Sequence, residues 1–203
     1  MRKMSVVDRV VLLVTGLLAA YQIVVGVHGA PSLSTWLYTI AFGVLLVAGL
    51  LLLIMGFGIL DSPLVVIVST IIPLSLSWGL VVQHAPRFAT LYGLFVVVGF
   101  LAIVWTRLNA DTPKKWATMV LAFVHGVAGL VIFLLPIVLA IRGAMPSGFA
   151  LVGVGGALIG LGGLLLAFLK AGKPILSQEM ILTVLPGLLL LMTAAFVAGF
   201  ARG

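Results

Sequence analysis

Apolar residues run along this chain in long blocks that do not alternate with polar ones. Seven of these blocks have the length of roughly 17–25 residues that a helix needs to cross a bilayer. They are Val10–Val27, Leu37–Gly58, Leu64–Val82, Ala89–Thr106, Ala117–Ile141, Gly148–Leu169 and Met180–Phe200. Strands of a membrane β-barrel would alternate over about ten residues. The pattern therefore predicts an all-α integral membrane protein, a bundle of seven transmembrane helices.

Short polar breaks rich in Pro, Gly, Asp and Ser separate the blocks, as in HGAPS, LDSP and RLNADTPKK. These residues favour turns. None of the breaks is long enough for a soluble domain, so residues 1–203 are predicted to form a single membrane domain. The first block has about 18 residues, longer than the apolar core of a signal peptide, and is predicted to be a retained span.

The composition supports lipid as the main solvent of this chain. Of the 203 residues, 64% are hydrophobic and only 7% are charged, whereas a soluble domain carries about 25% charged residues. The chain has no cysteine, which excludes disulfides, thiolate metal sites and thiol nucleophiles. The net charge of +7 is carried by short loops, so it does not predict nucleic acid as a partner.

Basic residues favour one orientation of the bundle. With a cytoplasmic N-terminus, eight Lys and Arg residues lie inside and three lie outside, as the positive-inside rule requires. The inner set is Arg2, Lys3, Arg9, Arg107, Lys114, Lys115, Lys170 and Lys173, and the outer set is Arg87, Arg142 and Arg202. An odd number of spans then predicts an external C-terminus. We expect the membrane to be a prokaryotic plasma membrane.

Two stretches, STIIPLSLSWGLV and LTVLPGLLLLMTA, each contain a Thr three residues before a Pro. Their prolines, Pro73 and Pro186, are 113 positions apart. The same offset relates Thr70 to Thr183, Gly43 to Gly156 and Gly49 to Gly162. These matches predict two parallel three-helix units, residues 8–84 and 116–201, joined by a linker helix over residues 89–106.

This layout of three, one and three helices with parallel units is similar to that of the SWEET sugar transporters. The similarity is one of architecture and assigns no family. Those proteins carry their characteristic prolines in the first two helices of each unit, whereas the shared proline here lies in the third. Their N-terminus also lies on the side opposite to the one that the charges predict here.

The prolines Pro73 and Pro186 are predicted to kink their helices. A proline inside a helix has no N–H and frees the carbonyl four residues earlier, and the nearby hydroxyls of Ser69, Thr70 and Thr183 offer it a partner. A matched pair of hinges around a cavity is one hypothesis. Static kinks that fit the bundle are the favoured one.

Polar residues are concentrated on the third helix, where Thr70, Ser77 and His84 are seven positions apart and share one face. Such a stripe in lipid should face protein, water or a ligand. One hypothesis is a polar pocket, and the favoured one is hydrogen bonding between helices. The pocket would comprise Tyr21, Gln22, Thr70, Ser77 and His125.

Histidines raise a cofactor hypothesis. His28 and His84 should lie at a similar depth, where they could ligate a haem or hydrogen-bond a quinone. No cofactor or metal is predicted, because a histidine in a membrane is more often a packed, hydrogen-bonded residue.

Four glycines of the sixth helix, Gly153, Gly156, Gly160 and Gly163, form a groove on one face. Such a groove lets another backbone approach closely. Its occupant could be the fifth or seventh helix, a neighbouring subunit or a flat cofactor such as a carotenoid, and the internal helix is favoured. Gly156 and Gly160 are central in the run and are expected to be the most buried.

Chemistry-bearing groups are scarce. His125 is the one acid or base at mid-depth, and the loops contain no nucleophile–base pair and no phosphate-binding glycine loop. We therefore expect no catalytic activity. The leading hypothesis is a structural or accessory subunit of a larger membrane assembly, respiratory or photosynthetic, whose partners are the lipid bilayer and other membrane subunits. Alternatives are a small carrier or channel for an uncharged or lipid-like solute, and a haem- or quinone-binding electron-transfer subunit.

Overall fold

A computed structural model describes residues 3–109, 111–170 and 176–203. Two of the predicted inner cations, Arg2 and Lys173, lie outside the described residues. The described chain forms seven long helices: α1 (Val6–Val25), α2 (Ser32–Met55), α3 (Pro63–His84), α4 (Ala89–Leu108), α5 (Lys114–Ile141), α6 (Ala150–Lys170) and α7 (Gln178–Phe200). Short 3-10 turns at Phe57–Asp61, Pro86–Phe88 and Ser147–Phe149 precede α3, α4 and α6.

All seven helices are long and apolar enough to cross a membrane. This confirms the prediction of an all-helical chain with seven apolar spans and indicates a multi-pass membrane protein. Below, the end of the bundle where α1 begins is called the N-terminal face. The end where α7 terminates is called the C-terminal face.

Local sequence explains where α1 begins and ends. The helix starts at Val6, ahead of the apolar block that begins at Val10, because Ser5 and Asp8 form a capping box. The hydroxyl of Ser5 accepts the Asp8 N–H at 3.1 Å, and the Asp8 carboxylate accepts the Ser5 N–H at 2.7 Å. The helix ends at Val25, and the Gly26 that follows it has a φ of 70°, which suits a residue without a Cβ.

The helices have a simple order of neighbours. Each consecutive pair from α1 to α3 and from α5 to α7 is in contact, and α3 packs on α5 while α7 packs on α1. These contacts close a circuit of six helices. The remaining helix, α4, packs against α3 and α5.

Aromatic side chains fill the core toward the C-terminal face. Phe42 of α2 lies 6.4 Å from Phe196 and 6.2 Å from Phe200, measured between ring centroids, and both pairs are nearly perpendicular. Tyr38 lies 4.8 Å from Phe200 in the same cluster. These side chains are buried, and edge-to-face packing of this kind adds to the stability that their burial provides.

Candidate functional site

The polar face predicted on α3 lies inside the protein, but its hydroxyl groups bond to their own helix. Thr70 and Ser77 are both fully buried. The Thr70 hydroxyl donates to the Val66 carbonyl at 2.8 Å, and the Ser77 hydroxyl donates to the Leu74 carbonyl at 3.0 Å. Bonds of this kind satisfy the hydroxyl without a second helix or a ligand.

The other predicted pocket residues differ in their exposure and bonding. Tyr21 is 54% exposed on the surface of α1. Gln22 is buried, and its side-chain amide donates to the Gly26 carbonyl at 2.6 Å, where it secures the end of α1. His125 is half-buried on α5, with Nδ1 3.1 Å from the Leu121 carbonyl oxygen of the same helix. Of the five residues predicted to form the pocket, Tyr21 is the exposed one.

His28 and His84 have different surroundings. His28 is exposed in the α1–α2 loop. His84, at the end of α3, is half-buried with its ring 5.1 Å from that of Phe149. Its Nε2 atom is buried and has no hydrogen-bond partner. Among the described residues, no cluster of three or more His, Cys, Asp or Glu could hold a metal ion.

Both predicted kink prolines are buried, and their helices continue through them. The threonine three residues before each proline makes the same kind of bond. Thr70 donates to Val66 at 2.8 Å and Thr183 donates to Glu179 at 2.7 Å. Neither hydroxyl bonds to the carbonyl that the proline frees. Sequence analysis overlooked a third proline inside a helix, Pro136 of α5.

Two side-chain hydrogen bonds join α2 to α3. The Ser34 hydroxyl donates to the Gly79 carbonyl at 3.0 Å, and the Tyr38 hydroxyl donates to the Gln83 side-chain carbonyl at 2.8 Å. Ser34 and Tyr38 are one helical turn apart and both are buried. Sequence analysis missed this clamp, although polar residues spaced four apart on an apolar helix were a usable signal.

The glycine groove of α6 divides into two halves. A Cβ on Gly153 would lie 2.6 Å from the Phe133 carbonyl oxygen, and a Cβ on Gly156 would lie 2.7 Å from Ile132. This half is therefore packed tightly on α5, the internal partner that sequence analysis favoured. Gly160 and Gly163 are exposed, with nothing within 4 Å of an added Cβ. The expectation that Gly160 is among the most buried is wrong, because no neighbouring helix packs within 4 Å of the position where its Cβ would lie.

An apolar groove of about 460 Å³ lies between α4 and α5. Phe95, Val98, Gly99 and Ala102 line it from α4, and Trp116, Met119, Val120, Phe123 and Val124 line it from α5. The helices pack closely at Gly99, where an added Cβ would lie 3.1 Å from the Val124 side chain. Sequence analysis did not find this groove, because each of its walls has the apolar sequence of an ordinary membrane helix.

In comparisons with known proteins, no protein-family model, no curated protein and no solved structure matches the chain.

Proposed function

We propose that this protein has no catalytic activity and acts by packing, as a structural or accessory subunit of a larger membrane assembly. The polar side chains inside the spans support this most directly. Four fully buried hydroxyls each donate to a carbonyl of their own helix, and they belong to Thr15, Thr70, Ser77 and Thr193. A transport path or a reaction centre would need such groups to face a cavity or a ligand.

The two halves of the glycine groove agree with this proposal. Gly153 and Gly156 pack against α5 of the same chain. Gly160 and Gly163 face outward together with the exposed side chains of Leu161 and Leu164. In a membrane, helices associate through close packing of small residues, because lipid tails are as apolar as the helix surfaces and the hydrophobic effect does not drive the helices together. An outward-facing glycine pair is compatible with a neighbouring subunit.

The proposal includes an orientation and a membrane. We place the N-terminal face in the cytoplasm of a prokaryotic cell and the C-terminus outside. The distribution of Lys and Arg, eight against three, supports this orientation.

The proposal also includes the internal repeat of two three-helix units. When α1, α2 and α3 are exchanged with α5, α6 and α7 in that order, each pair of neighbouring helices in the circuit becomes another neighbouring pair of the same circuit. The helix α4 lies outside the circuit. This is the pattern of neighbours expected for two parallel units related by an axis along the membrane normal. The matched glycines differ in detail: Gly156 packs tightly against α5, whereas Gly43 has nothing within 4 Å of an added Cβ.

Extraction from its native membrane in a mild detergent, followed by measurement of the native mass, tests the proposal. An accessory subunit should elute as a defined complex with other polypeptides. The Gly160→Leu variant should release those partners while leaving the isolated bundle folded, and Gly43→Leu in α2 serves as the control. A chain that elutes alone, at the mass of one protein with its detergent, contradicts the proposal.

A carrier or channel for an uncharged solute is the second candidate, and the paired prolines favour it. Pro73 and Pro186 are both buried, and the threonine three residues before each of them donates to the carbonyl four residues earlier in its own helix. Purified protein in liposomes should then speed the entry of small uncharged solutes, and replacing both prolines by alanine should abolish this. Liposomes with and without the protein that equilibrate at the same rate would exclude this alternative.

A further inference from the structure

The helix α4 covers the seam between α3 and α5. The Trp78 ring of α3 fills the space beside Gly93 of α4, where an added Cβ would lie 2.5 Å from the ring, and the Trp78 indole N–H donates to the Ala89 carbonyl at 3.1 Å. On the other side of the seam, a Cβ on Gly99 of α4 would lie 3.1 Å from the Val124 side chain of α5. One transmembrane helix therefore packs closely on both walls of this seam.

The proposed repeat gives this seam a counterpart in the second unit. The exchange of the two three-helix units turns the seam between α3 and α5 into the seam between α7 and α1, two helices that are also in contact. In the described part of the chain, no further helix packs on α7 and α1 as α4 packs on α3 and α5. The α7–α1 seam is therefore the equivalent position without a covering helix.

On α7, the wall of this second seam is exposed where the matching wall of α3 is buried. At the offset of 113 positions, four residues on one face of α3 match four on α7: Ile67, Thr70, Leu74 and Trp78 match Met180, Thr183, Gly187 and Leu191. Ile67 is 7% exposed and Met180 is 51% exposed. Leu74 is buried, whereas Gly187 has nothing within 4 Å of an added Cβ. The uncharged face of α7 is about 17 Å long, more than half of the roughly 30 Å hydrocarbon core.

On α1, the matching wall is also less covered. Val124 of α5 is buried against α4, whereas Val11, its match at the same offset, is half-buried. Val120 of α5 is half-buried, and its match Val7 is 70% exposed. Both walls of the α7–α1 seam therefore lack the cover that α4 gives to the α3–α5 seam.

We infer that the α7–α1 seam binds one transmembrane helix of a partner subunit, which lies antiparallel to α7 as α4 lies antiparallel to α3. The inference rests on the proposed repeat and on the proposed role as a subunit. Within this bundle, α4 shows that such a seam is covered by a helix. Leu191 occupies the position of Trp78, which packs against Gly93 of α4, so the partner helix should carry a small residue at the level of Leu191. Small residues of this kind let helix backbones approach closely in a membrane.

Spin labels at single introduced cysteines test this inference, since the chain has no cysteine of its own. Leu191→Cys and Leu94→Cys are a matched pair, because both leucines are 61% exposed and Leu94 lies on α4. The accessibility of each nitroxide label to oxygen, which is high in lipid, is measured by electron paramagnetic resonance. In the chain separated from its partners, the two labels should be equally accessible. In the complex extracted from the native membrane, the label at position 191 should be several-fold less accessible and the label at position 94 unchanged. If the label at position 191 alone releases a subunit from the complex, as the native mass would show, it also supports the inference.

Gly187→Phe should release the subunit bound at the seam and leave the isolated bundle folded. Gly43→Phe is the control, because an added Cβ on either glycine has nothing within 4 Å. If Gly187→Phe does not fold, the accessibility of the two labels decides. Equal accessibility of both labels in a complex that retains its partners would overturn the inference and leave the proposed function standing. A homodimer in which a second copy of this chain shields position 191 would overturn it too. A chain that elutes alone contradicts the proposed function and this inference with it.

Discussion

The ring of Tyr38 occupies the space where residue 79 would carry a side chain. A Cβ built on Gly79 would lie 2.5 Å from Cε1 and 2.9 Å from Cδ1 of Tyr38. The ring has little room to retreat, because its centroid lies 4.8 Å from that of Phe200. This close approach allows Ser34 to donate to the Gly79 carbonyl and joins α2 to α3.

Gly79→Ala should therefore destabilise the bundle by roughly 1–3 kcal/mol, the usual cost of overpacking a filled core. Thermal unfolding in detergent measures the loss. Gly43→Ala is the control, because Gly43 is also helical and has nothing within 4 Å of an added Cβ. Equal stability of the two variants would mean that α2 and α3 do not approach this closely.

Tyr38→Phe should cost about 0.6–2 kcal/mol of stability, the range for a hydrogen bond between helices in a membrane. The substitution removes the bond to Gln83 and retains the ring. A double-mutant cycle with Gln83→Leu isolates the pair, and Tyr21→Phe on the exposed face of α1 should have little effect. Strictly additive losses from Tyr38→Phe and Gln83→Leu would show that the two side chains do not interact.

Gly156→Leu and Gly160→Leu should behave differently, although the two glycines belong to one stripe. A Cβ on Gly156 already meets the backbone of Ile132 at 2.9 Å, so leucine should separate α5 from α6 and destabilise the bundle by roughly 1–3 kcal/mol or more. Leucine at Gly160 enters open space and should leave the unfolding temperature nearly unchanged. If Gly160→Leu unfolds the isolated chain, α6 packs differently from the arrangement described above.

Reporter fusions test the orientation. An enzyme that is active only in the cytoplasm should work when inserted in the loop after Asn109 and should fail when fused after Gly203. The reason is the excess of Lys and Arg on the N-terminal face. A periplasmic reporter at the same two sites should give the opposite result, and activity of one reporter at both sites would contradict an odd number of spans.

The sequence by itself determined the class of this protein and the number of its helices. Each apolar block has about the length that a helix needs to cross the hydrocarbon core of a bilayer, and in lipid a helix satisfies every backbone group within its own segment. Helix formation therefore depends on local composition alone. Local chemistry also set several helix ends, as the Ser5–Asp8 capping box and the glycine at position 26 show.

The tertiary structure decided which groups the buried hydroxyls bond to and which glycines are tightly packed. The spacing of Thr70 and Ser77 correctly placed them on an interior face, yet only the packing of the helices settled that their hydroxyls bond to their own backbone. Gly156 and Gly160 belong to the same stripe in the sequence and differ because atoms of α5 lie against Gly156, whereas nothing lies within 4 Å of an added Cβ on Gly160. How closely two helices pack at a given level depends on contacts between residues far apart in the chain. The α4–α5 groove likewise exists only between two walls that are each unremarkable alone.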